Sequence, residues 1–303
     1  MKYIVQSTAV WDIISLPHSK SAMEAPGGAG FYALAGMKIW EDDVGIVSGI
    51  GADYLPKFGS WYQKNHLPTS GMLVKDPHSP QTIVQYFPDG ERTEKPVFGE
   101  HHYQKIEAVP EEIAPFCKDA AGVYVFKNLS PSYWEGFLPL KRKYGFHLMW
   151  EIAADAALPE NVAQVKRVAE QTSVFSINRT EAIQLTSAAS VNDAIEVLKR
   201  WEIPLIYLRL GSKGTCLIQE GRTLFVPSVP DLNVVDSTGG GNSSSGGAFI
   251  GYCHGCSLEE IGAMGNVSAS FCIEQWGVPP LIGQELRKKA LERKNQVLAL
   301  LKE

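Results

Sequence analysis

The chain has 303 residues, of which 45% are hydrophobic and 20% charged, a composition that supports a large buried core. Its net charge of -5 and its pI near 5.9 argue against a partner that is a nucleic acid or an anionic membrane. The first residues do not resemble a signal peptide, no apolar run is long enough to span a membrane, and five scattered cysteines suit reduced thiols, so we expect a cytoplasmic protein.

The first 50 residues predict strands and a helix in alternation. Tyr3–Val5 predicts a buried strand, and Asp12 follows a short apolar run, where it is either a turn residue or a ligand at the carboxyl end of a strand. Ala25–Gly36 fits the dinucleotide spacing G-x-G-x-x-A only weakly, so we favour a tight glycine turn that opens a helix at Gly30–Met37. Val44–Ile50 is continuously apolar, as expected of a parallel strand that is covered on both faces.

Residues 72–98 change in character. Thr82–Phe87 alternates between apolar and polar residues, Pro88–Gly90 has turn composition, and an extended run resumes at Arg92. This pattern predicts a hairpin that lies beside the main sheet.

From residue 122 onwards, apolar runs alternate with helical segments. The predicted strands are Gly122–Phe126, Phe146–Trp150, Ser173–Ile177 and Leu205–Leu210, and the predicted helices are Tyr133–Tyr144, Pro159–Gln171, Thr180–Leu185 and Val191–Trp201. Such an alternation indicates a mainly parallel sheet with helices on both faces. Cys216–Gln219 and Thr223–Val226 predict an antiparallel edge to this sheet, and helices near 258–276 and 283–301 end the chain.

The stretch Asp236–Gly247, D-S-T-G-G-G-N-S-S-S-G-G, carries the clearest functional signal. Its three glycines, Gly239–Gly241, fall where a loop would enter a helix, and Asp236–Thr238 before them has the composition of a turn or cap. Free N–H groups at a helix N-terminus bind anions. We interpret Asp236–Asn242, here called the glycine loop, as a phosphate cradle; the alternative is a mobile glycine linker before an ordinary helix.

Five segments carry a resemblance that covers nearly the whole chain. In order, they are the Gly27-Gly28 turn, Asp89–Thr93 (D-G-E-R-T), Asn178–Glu181 (N-R-T-E), Leu210–Gly214 (L-G-S-K-G) and the glycine loop (D-S-T-G-G-G-N). Together they resemble the motifs of the PfkB, or ribokinase-like, family of sugar and nucleoside kinases. The resemblance implies a three-layer α/β fold with a mostly parallel central sheet and a small antiparallel β lid over the sugar. The lid would be formed approximately by residues 12–24 and 70–100 of a single domain that covers residues 1–303.

The resemblance also implies an ATP- and Mg²⁺-dependent transferase that acts on a hydroxyl of a small sugar or a related compound. Gly239–Gly241 would present N–H groups to the transferring phosphoryl. The implied acceptor contacts are Asp12, Gly27, Gly28, Tyr32 and Arg92; the implied nucleotide contacts are Asn178, Glu181, Lys213, Gly214 and Thr238, with Asn178 and Glu181 near Mg²⁺. Dimerisation through the lid is common in the family, so a homodimer is a further expectation.

Two residues depart from the family pattern. Asn242 stands at the position of the family's catalytic Asp, and a neutral amide cannot act as a base. General-base help is worth about 10²–10⁴-fold, so we expect impaired rather than abolished catalysis. Tyr32 stands where related turns carry a sugar-binding Asn. The alternative hypothesis is a catalytically silent relative that binds sugar or nucleotide as a regulator.

Overall fold

A computed structural model of the chain describes residues 1–17, 21–87 and 92–302, without the side chain of Arg92. In chain order the strands are β1 (Tyr3–Gln6), β2 (Val10–Ser15), β3 (Met23–Gly27), β4 (Val44–Gly51), β5 (Met72–Asp76), β6 (Gln81–Tyr86), β7 (Arg92–Pro96), β8 (Gly122–Lys127), β9 (His147–Ile152), β10 (Val174–Asn178), β11 (Ile206–Arg209), β12 (Thr215–Gln219) and β13 (Arg222–Val226). The α-helices are α1 (Ala29–Lys38), α2 (Tyr54–Lys64), α3 (Glu100–Ile106), α4 (Pro110–Cys117), α5 (Pro131–Tyr144), α6 (Val162–Ala169), α7 (Arg179–Thr186), α8 (Val191–Leu198), α9 (Gly240–Cys253), α10 (Leu258–Ile273) and α11 (Gln284–Leu300). Within these described ranges no helix has both the length and the apolar character needed to cross a bilayer.

A nine-stranded sheet with the order β13-β12-β11-β10-β9-β8-β1-β4-β5 forms the centre of the molecule. The strands from β11 to β5 run parallel to their neighbours, and β12 and β13 are antiparallel additions at one edge. The expected mostly parallel sheet with an antiparallel edge is therefore confirmed.

Two apolar cores cover the two faces of this sheet, because successive side chains of a strand point to opposite sides. In β1, Val5 joins the core formed with helices α1, α2, α9, α10 and α11, whereas Ile4 joins the core formed with α4 to α8. Both side chains are fully buried. This arrangement gives the three layers that the resemblance implied.

The β lid is a separate four-stranded sheet with the order β3-β2-β6-β7. Its outer pairs are antiparallel, as expected, but its central pair, β2 and β6, is parallel, with Asp12 opposite Thr82. A parallel pairing arises because the chain passes through β3, α1, β4, α2 and β5 before it returns as β6. Strand β5 lies in the large sheet, although it falls within the range 70–100. The predicted turn Pro88–Gly90 lies outside the described residues.

Two other local expectations differ from the structure. Strand β3 contains Pro26 and was not predicted, but it forms an edge of the β lid, where a missing N–H is tolerated. The helix predicted at Pro159–Gln171 begins as a short 3-10 turn at Pro159–Asn161 and continues as α6.

Candidate active site

The glycine loop ends at the N-terminus of α9, with Gly239 as the capping residue at a φ of 72°. A Cβ atom built on Gly239 would lie 2.0 Å from Cδ1 of Tyr32, and one on Gly241 would lie 2.4 Å from Nη1 of Arg209. A Cβ atom on Gly240 would lie 2.7 Å from Cγ2 of Ile273. All three glycines are therefore packed against neighbours, Gly239 as the cap and Gly240 and Gly241 in the first turn of α9, which does not fit the alternative of a glycine linker before the helix.

Asp236 anchors the loop to the β lid. Its Oδ1 accepts hydrogen bonds from the N–H of Thr238 (2.9 Å), from the Thr238 hydroxyl (2.7 Å) and from the Tyr86 hydroxyl (2.8 Å). Asp236 is buried, and Tyr86 lies at the end of β6. The loop and the lid thus share one buried carboxylate.

Small residues allow the backbones of α1 and α9 to come into direct contact. A Cβ atom on Gly36 would lie 2.1 Å from the carbonyl oxygen of Ser243, and one on Gly246 would lie 2.2 Å from that of Ala33. This contact places Tyr32 of α1 directly on Gly239. Burial, and then the nearby Asp12, raise the pKa of the Tyr32 phenol well above its usual value, so the hydroxyl remains protonated.

A cavity of about 600 Å³ lies between the β lid, the large sheet and the glycine loop. The β lid contributes alternate residues of three strands, as expected for one face of a sheet. Its lining residues are Val10, Asp12, Thr82, Val84, Glu94 and Pro96 from the β lid; Ser7, Thr8, Phe126, Lys127, Asn128, Ala153 and Asp155 from the edge of the large sheet; Gly28, Ala29 and Tyr32 at α1; Glu100, Tyr103, Gln104 and Glu107 at α3; and Thr238, Gly239 and Asn242 at the loop.

Asp12 lies inside β2 of the β lid, not at the carboxyl end of a strand of the large sheet as its sequence position suggested. Its side chain is buried and lines the cavity. A Cβ atom on Gly27 would lie 1.8 Å from Oδ2 of Asp12, so only glycine allows this approach. Gly28 has a φ of 87° and lies close to the carbonyl of Thr8. The Gly27-Gly28 turn therefore makes room for the Asp12 carboxylate.

Asn242 is bound to a carboxylate that sequence reasoning missed. Its Nδ2 donates to Oε1 of Glu151 at 2.6 Å, and Glu151 also accepts from Arg209 Nη1 (2.9 Å) and from the Tyr124 hydroxyl (2.8 Å). Glu151 is only 1% exposed. A signal for it exists, because a single Glu inside the apolar run L-M-W-E-I predicts a buried charge that must find partners.

Asn178 and Glu181 form a reciprocal cap at the start of α7. Asn178 Oδ1 accepts from the N–H of Glu181 (2.9 Å), and Glu181 Oε2 accepts from the N–H of Asn178 (2.8 Å) and lies 3.7 Å from Nη2 of Arg209. Burial raises the pKa of Glu181, and Arg209 opposes that shift. The cap and the ion pair leave Oε1 of Glu181 as the oxygen that they do not use.

The pfkB family model, that of the pfkB family carbohydrate kinases, matches residues 15–280 of the sequence. This chain belongs to the pfkB family. A cytidine kinase from Thermococcus kodakarensis is 29% identical to it over an alignment of 273 residues, and the match covers 84% of this chain and 87% of that relative. The family expectation is thereby confirmed.

Solved structures agree on the fold of this pfkB member. An adenosine kinase from Sinorhizobium meliloti superimposes with a TM-score of 0.81 at 19% identity and covers 96% of this chain and 98% of its own. The ribokinase of Arabidopsis thaliana, solved with ribose and ATP, has a TM-score of 0.76 at 18% identity, with 96% and 97% covered. At these identities the likeness establishes the ribokinase-like fold alone.

The residues implied by the family resemblance fall into two groups in the structure. Asp12, Gly28, Tyr32, Thr238, Gly239 and Asn242 line one cavity. Asn178, Glu181, Lys213 and Gly214 are not among the described residues that line it, nor are Gly27, Gly240 and Gly241. Lys213 is exposed in the turn Gly211–Lys213. Asp89–Glu91 and the Arg92 side chain lie outside the described residues. Among those described, no group of three His, Cys, Asp or Glu side chains is placed to hold a metal ion.

Proposed function

We propose that this pfkB-family chain transfers a phosphoryl group from ATP, with Mg²⁺, to a hydroxyl of a small sugar or nucleoside-like compound. The observation that carries the proposal is one cavity in which Gly239 and Asn242, at the N-terminus of α9, face the Asp12 carboxylate of the β lid. An anion-binding helix terminus and a hydroxyl-binding carboxylate are the two halves that such a transfer needs.

The glycine loop fits a phosphate because it offers backbone N–H groups without side chains. The first N–H groups of a helix have no partner within the helix and carry partial positive charge. ATP would supply the phosphoryl group, and Mg²⁺ would neutralise charge on its oxygens. Oε1 of Glu181 and the neighbouring Asn178 are the groups that we assign to the metal and its waters, whereas Lys213 and Gly214 are assigned to the nucleotide side.

The acidic residues in the described lining of the cavity favour an acceptor that donates hydrogen bonds and carries no negative charge of its own. Five of the described residues that line it are acidic, namely Asp12, Glu94, Glu100, Glu107 and Asp155, and the one described lysine on its wall, Lys127, is bound to Glu107 at 2.5 Å. An anionic sugar acid or sugar phosphate would meet carboxylates on several sides. We therefore propose neutral sugars and nucleosides as acceptors.

Asn242 limits the rate in this proposal. The amide accepts a hydrogen bond from the attacking hydroxyl but cannot take its proton. A cavity carboxylate such as Asp12, or a water, takes the proton instead. Phosphoryl transfer depends mainly on positioning and charge stabilisation, so turnover continues at a reduced rate.

A second function is favoured by one specific observation. Asn242 replaces a base and is held by Glu151, so a site that binds sugar or nucleotide without turnover is chemically consistent. In that case the chain acts as a regulator that senses its ligand. Binding without ADP release separates this candidate from the kinase.

The experiment combines calorimetry with ADP release by the purified chain, using Mg-ATP and a panel of neutral sugars and nucleosides beside sugar acids. The kinase proposal predicts slow ADP release with at least one neutral acceptor and none with the sugar acids. Binding of ATP or sugar with no ADP above background for any acceptor would establish the silent relative instead.

The homodimer is also part of the proposal. Ile13 and Ile83 are cross-strand neighbours on the face of the β lid opposite Asp12 and Thr82, and Ile83 is 38% exposed. An apolar pair on an exposed sheet face suits contact with a second copy. Sedimentation of the wild type beside Ile83→Lys is the test, and we expect the substitution to shift the chain towards the monomer.

A further inference from the structure

Glu151 is surrounded by hydrogen-bond donors. The Tyr124 hydroxyl donates to Oε2, and Arg209 and Asn242 both donate to Oε1. Both oxygens of Glu151 accept hydrogen bonds, and its pairing with the Arg209 guanidinium is that of a carboxylate. This negative charge lies next to Asn242, in the wall behind the cavity.

This charge fixes the orientation of the Asn242 amide. An ionised carboxylate only accepts hydrogen bonds, so the amide must turn its NH₂ group, and not its carbonyl, towards Glu151. Asn242 lines the cavity, and the carbonyl of its side chain is the end that Glu151 does not hold. We propose that Glu151 is a positioning residue that presents the Asn242 carbonyl to the acceptor hydroxyl, and that its charge excludes a second carboxylate at position 242.

The exclusion of a second carboxylate at position 242 follows from the distance between Asn242 and Glu151. Asn242 Nδ2 and Glu151 Oε1 are 2.6 Å apart, and two carboxylates at such a distance cannot both be ionised. The charged or titratable groups around Glu151 are Tyr124 on β8, Arg209 and Tyr207 on β11, and Glu181 on α7. Arg209 is the one cation among them, and it already faces both Glu151 and Glu181.

The substitution Asn242→Asp, which restores the family's Asp, should therefore not restore fast phosphoryl transfer on its own. The introduced carboxyl would share a proton with Glu151 at neutral pH, so that it could not act as a free base. The partner change Glu151→Gln removes the repelling charge while it keeps the side-chain shape. The activity part of this inference rests on the proposed function, whereas the charge pairing does not.

The test is a double-mutant cycle of Asn242→Asp and Glu151→Gln, read by thermal unfolding between pH 4 and pH 8. The carboxyl introduced by Asn242→Asp has a pKa above its unfolded value of about 3.9, so its stability relative to the wild type should fall as the pH rises through this window. The double variant should recover most of the loss at pH 8. Asn242→Asp with Glu107→Gln is the matched control, because Glu107 lines the cavity but binds Lys127, and it should recover none.

The same variants are compared for ADP release over this pH range. We expect the double variant to exceed Asn242→Asp by at least about tenfold in kcat near pH 7, the scale of general-base help, and Glu151→Gln alone to lower kcat more than it changes KM. An Asn242→Asp variant that is as stable as the wild type at pH 8 and gains rate without Glu151→Gln would overturn the proposal. If neither the wild type nor any variant releases ADP, the proposed function fails, while the unfolding data still decide the pairing.

A measurement on the unmodified chain covers the case in which Glu151→Gln does not fold. The side-chain NH₂ of Asn242 is assigned by the loss of its ¹⁵N–¹H signals in Asn242→Asp. We expect one of its two protons to be shifted downfield and to exchange slowly with water, as a donor to a buried carboxylate. Rapid exchange of both protons would contradict the contact with Glu151.

Discussion

Gly239 shows how closely one residue of the site is determined by its neighbours. Its φ of 72° is unfavourable for any side chain, and the Tyr32 ring occupies the space where a Cβ atom would stand. The conformation turns the chain into α9, and the contact holds Tyr32 at the cavity wall. One glycine thus links the start of α9 to the wall of the cavity.

The substitution Gly239→Ala tests this link. It adds a steric clash to backbone strain, so we expect a loss of stability beyond the strain alone. Because the clash displaces the first N–H groups of α9, we also expect phosphoryl transfer to fall by about 10²-fold or more, the scale of a lost oxyanion donor. Chemical unfolding and ADP release are the measurements.

Gly255→Ala is the matched control for that change. Gly255 lies beyond the other end of α9 with a φ of 68°, and no heavy atom lies within 4 Å of the place that its Cβ atom would take. Gly255→Ala therefore measures the backbone strain of a left-handed alanine alone, which lowers the free energy of unfolding by about 1–2 kcal/mol. Equal effects of the two substitutions on stability and rate would show that the Tyr32 contact is unimportant.

At the level of single positions, the sequence indicated the two glycine turns of the candidate site. The Gly27-Gly28 turn and Gly239–Gly241 were recognisable because glycine is conspicuous where a chain must approach closely. Glu151 was not recognised, because its role depends on Arg209 and Asn242, which are 58 and 91 positions away in the chain. Pairing of a buried charge is decided by tertiary contacts that one sequence does not show.

At the scale of elements, the packing of α1 on α9 sets the width of the site. Gly36 and Gly246 let the two backbones touch, and this contact fixes the distance between Tyr32 and the start of α9. Small residues at a helix interface bury less side-chain area, but they allow a short distance between the two helix axes. The separation of the two helices is therefore a property of two glycines.

We expect Gly36→Ala to separate these helices. Its Cβ atom would lie 2.1 Å from the Ser243 carbonyl oxygen, which is backbone and cannot rotate away. Overpacking of this kind costs about 1–3 kcal/mol of unfolding free energy. The shift should also raise the KM for the acceptor, because Tyr32 moves with α1.

Gly59→Ala in the middle of α2 is the comparison for Gly36→Ala. The nearest atom to its Cβ position is 3.8 Å away, so the change should stabilise the protein by about 0.4–1 kcal/mol through the unfolded chain. The account would be wrong if Gly36→Ala were as well tolerated as Gly59→Ala in urea unfolding and in KM.

Elements with strong local patterns were predicted well. The prediction placed the continuous apolar run of β4, and the alternating strands and helices from β8 to β11, within a few residues. Buried parallel strands and amphipathic helices have residue patterns that can be recognised locally. Strand β3 and helix α4 were not predicted. Strand β3 contains Pro26, and α4 contains Pro115, so tertiary context outweighs local preference there.

At the scale of the whole molecule, the two sheets enclose the cavity, and this arrangement depends on pairings far apart in the chain. Strand β2 pairs with β6 across about 70 positions, and the Tyr86 hydroxyl binds Asp236 across 150. The sequence predicted a lid beside a parallel sheet by resemblance. It did not predict that the lid sheet has a parallel centre, because register between distant strands leaves no local pattern.

The buried thiols make the free energy of unfolding depend on pH in the alkaline range. Burial raises the pKa of Cys117, Cys216 and Cys272 to about 12 each, whereas an unfolded thiol titrates near 8.5. Their contribution to stability is therefore complete below about pH 8.5 and is lost as the pH rises towards 12. Each thiol should lower the unfolding free energy by about 1.4 kcal/mol per pH unit in that range.

Urea unfolding between pH 8 and pH 10 with a reducing agent measures this slope, below the range where tyrosines and lysines dominate. Cys117→Ala removes one thiol, so the free energy of unfolding should fall less steeply with pH than in the wild type. This difference in slope is expected whatever the effect of the substitution on stability at pH 8. A slope that is unchanged by Cys117→Ala would show that this thiol does not remain protonated in the fold.

The central claim is that the cavity between the glycine loop and the β lid carries out phosphoryl transfer. The most direct measurement is ³¹P NMR of the unmodified chain with Mg-ATP and the best neutral acceptor, with Gly239→Ala in parallel. We predict that ADP and a phosphate ester of the acceptor accumulate together with the wild type, and far more slowly with Gly239→Ala. Equal ester formation by both proteins, or none by the wild type with any sugar or nucleoside, would contradict the claim.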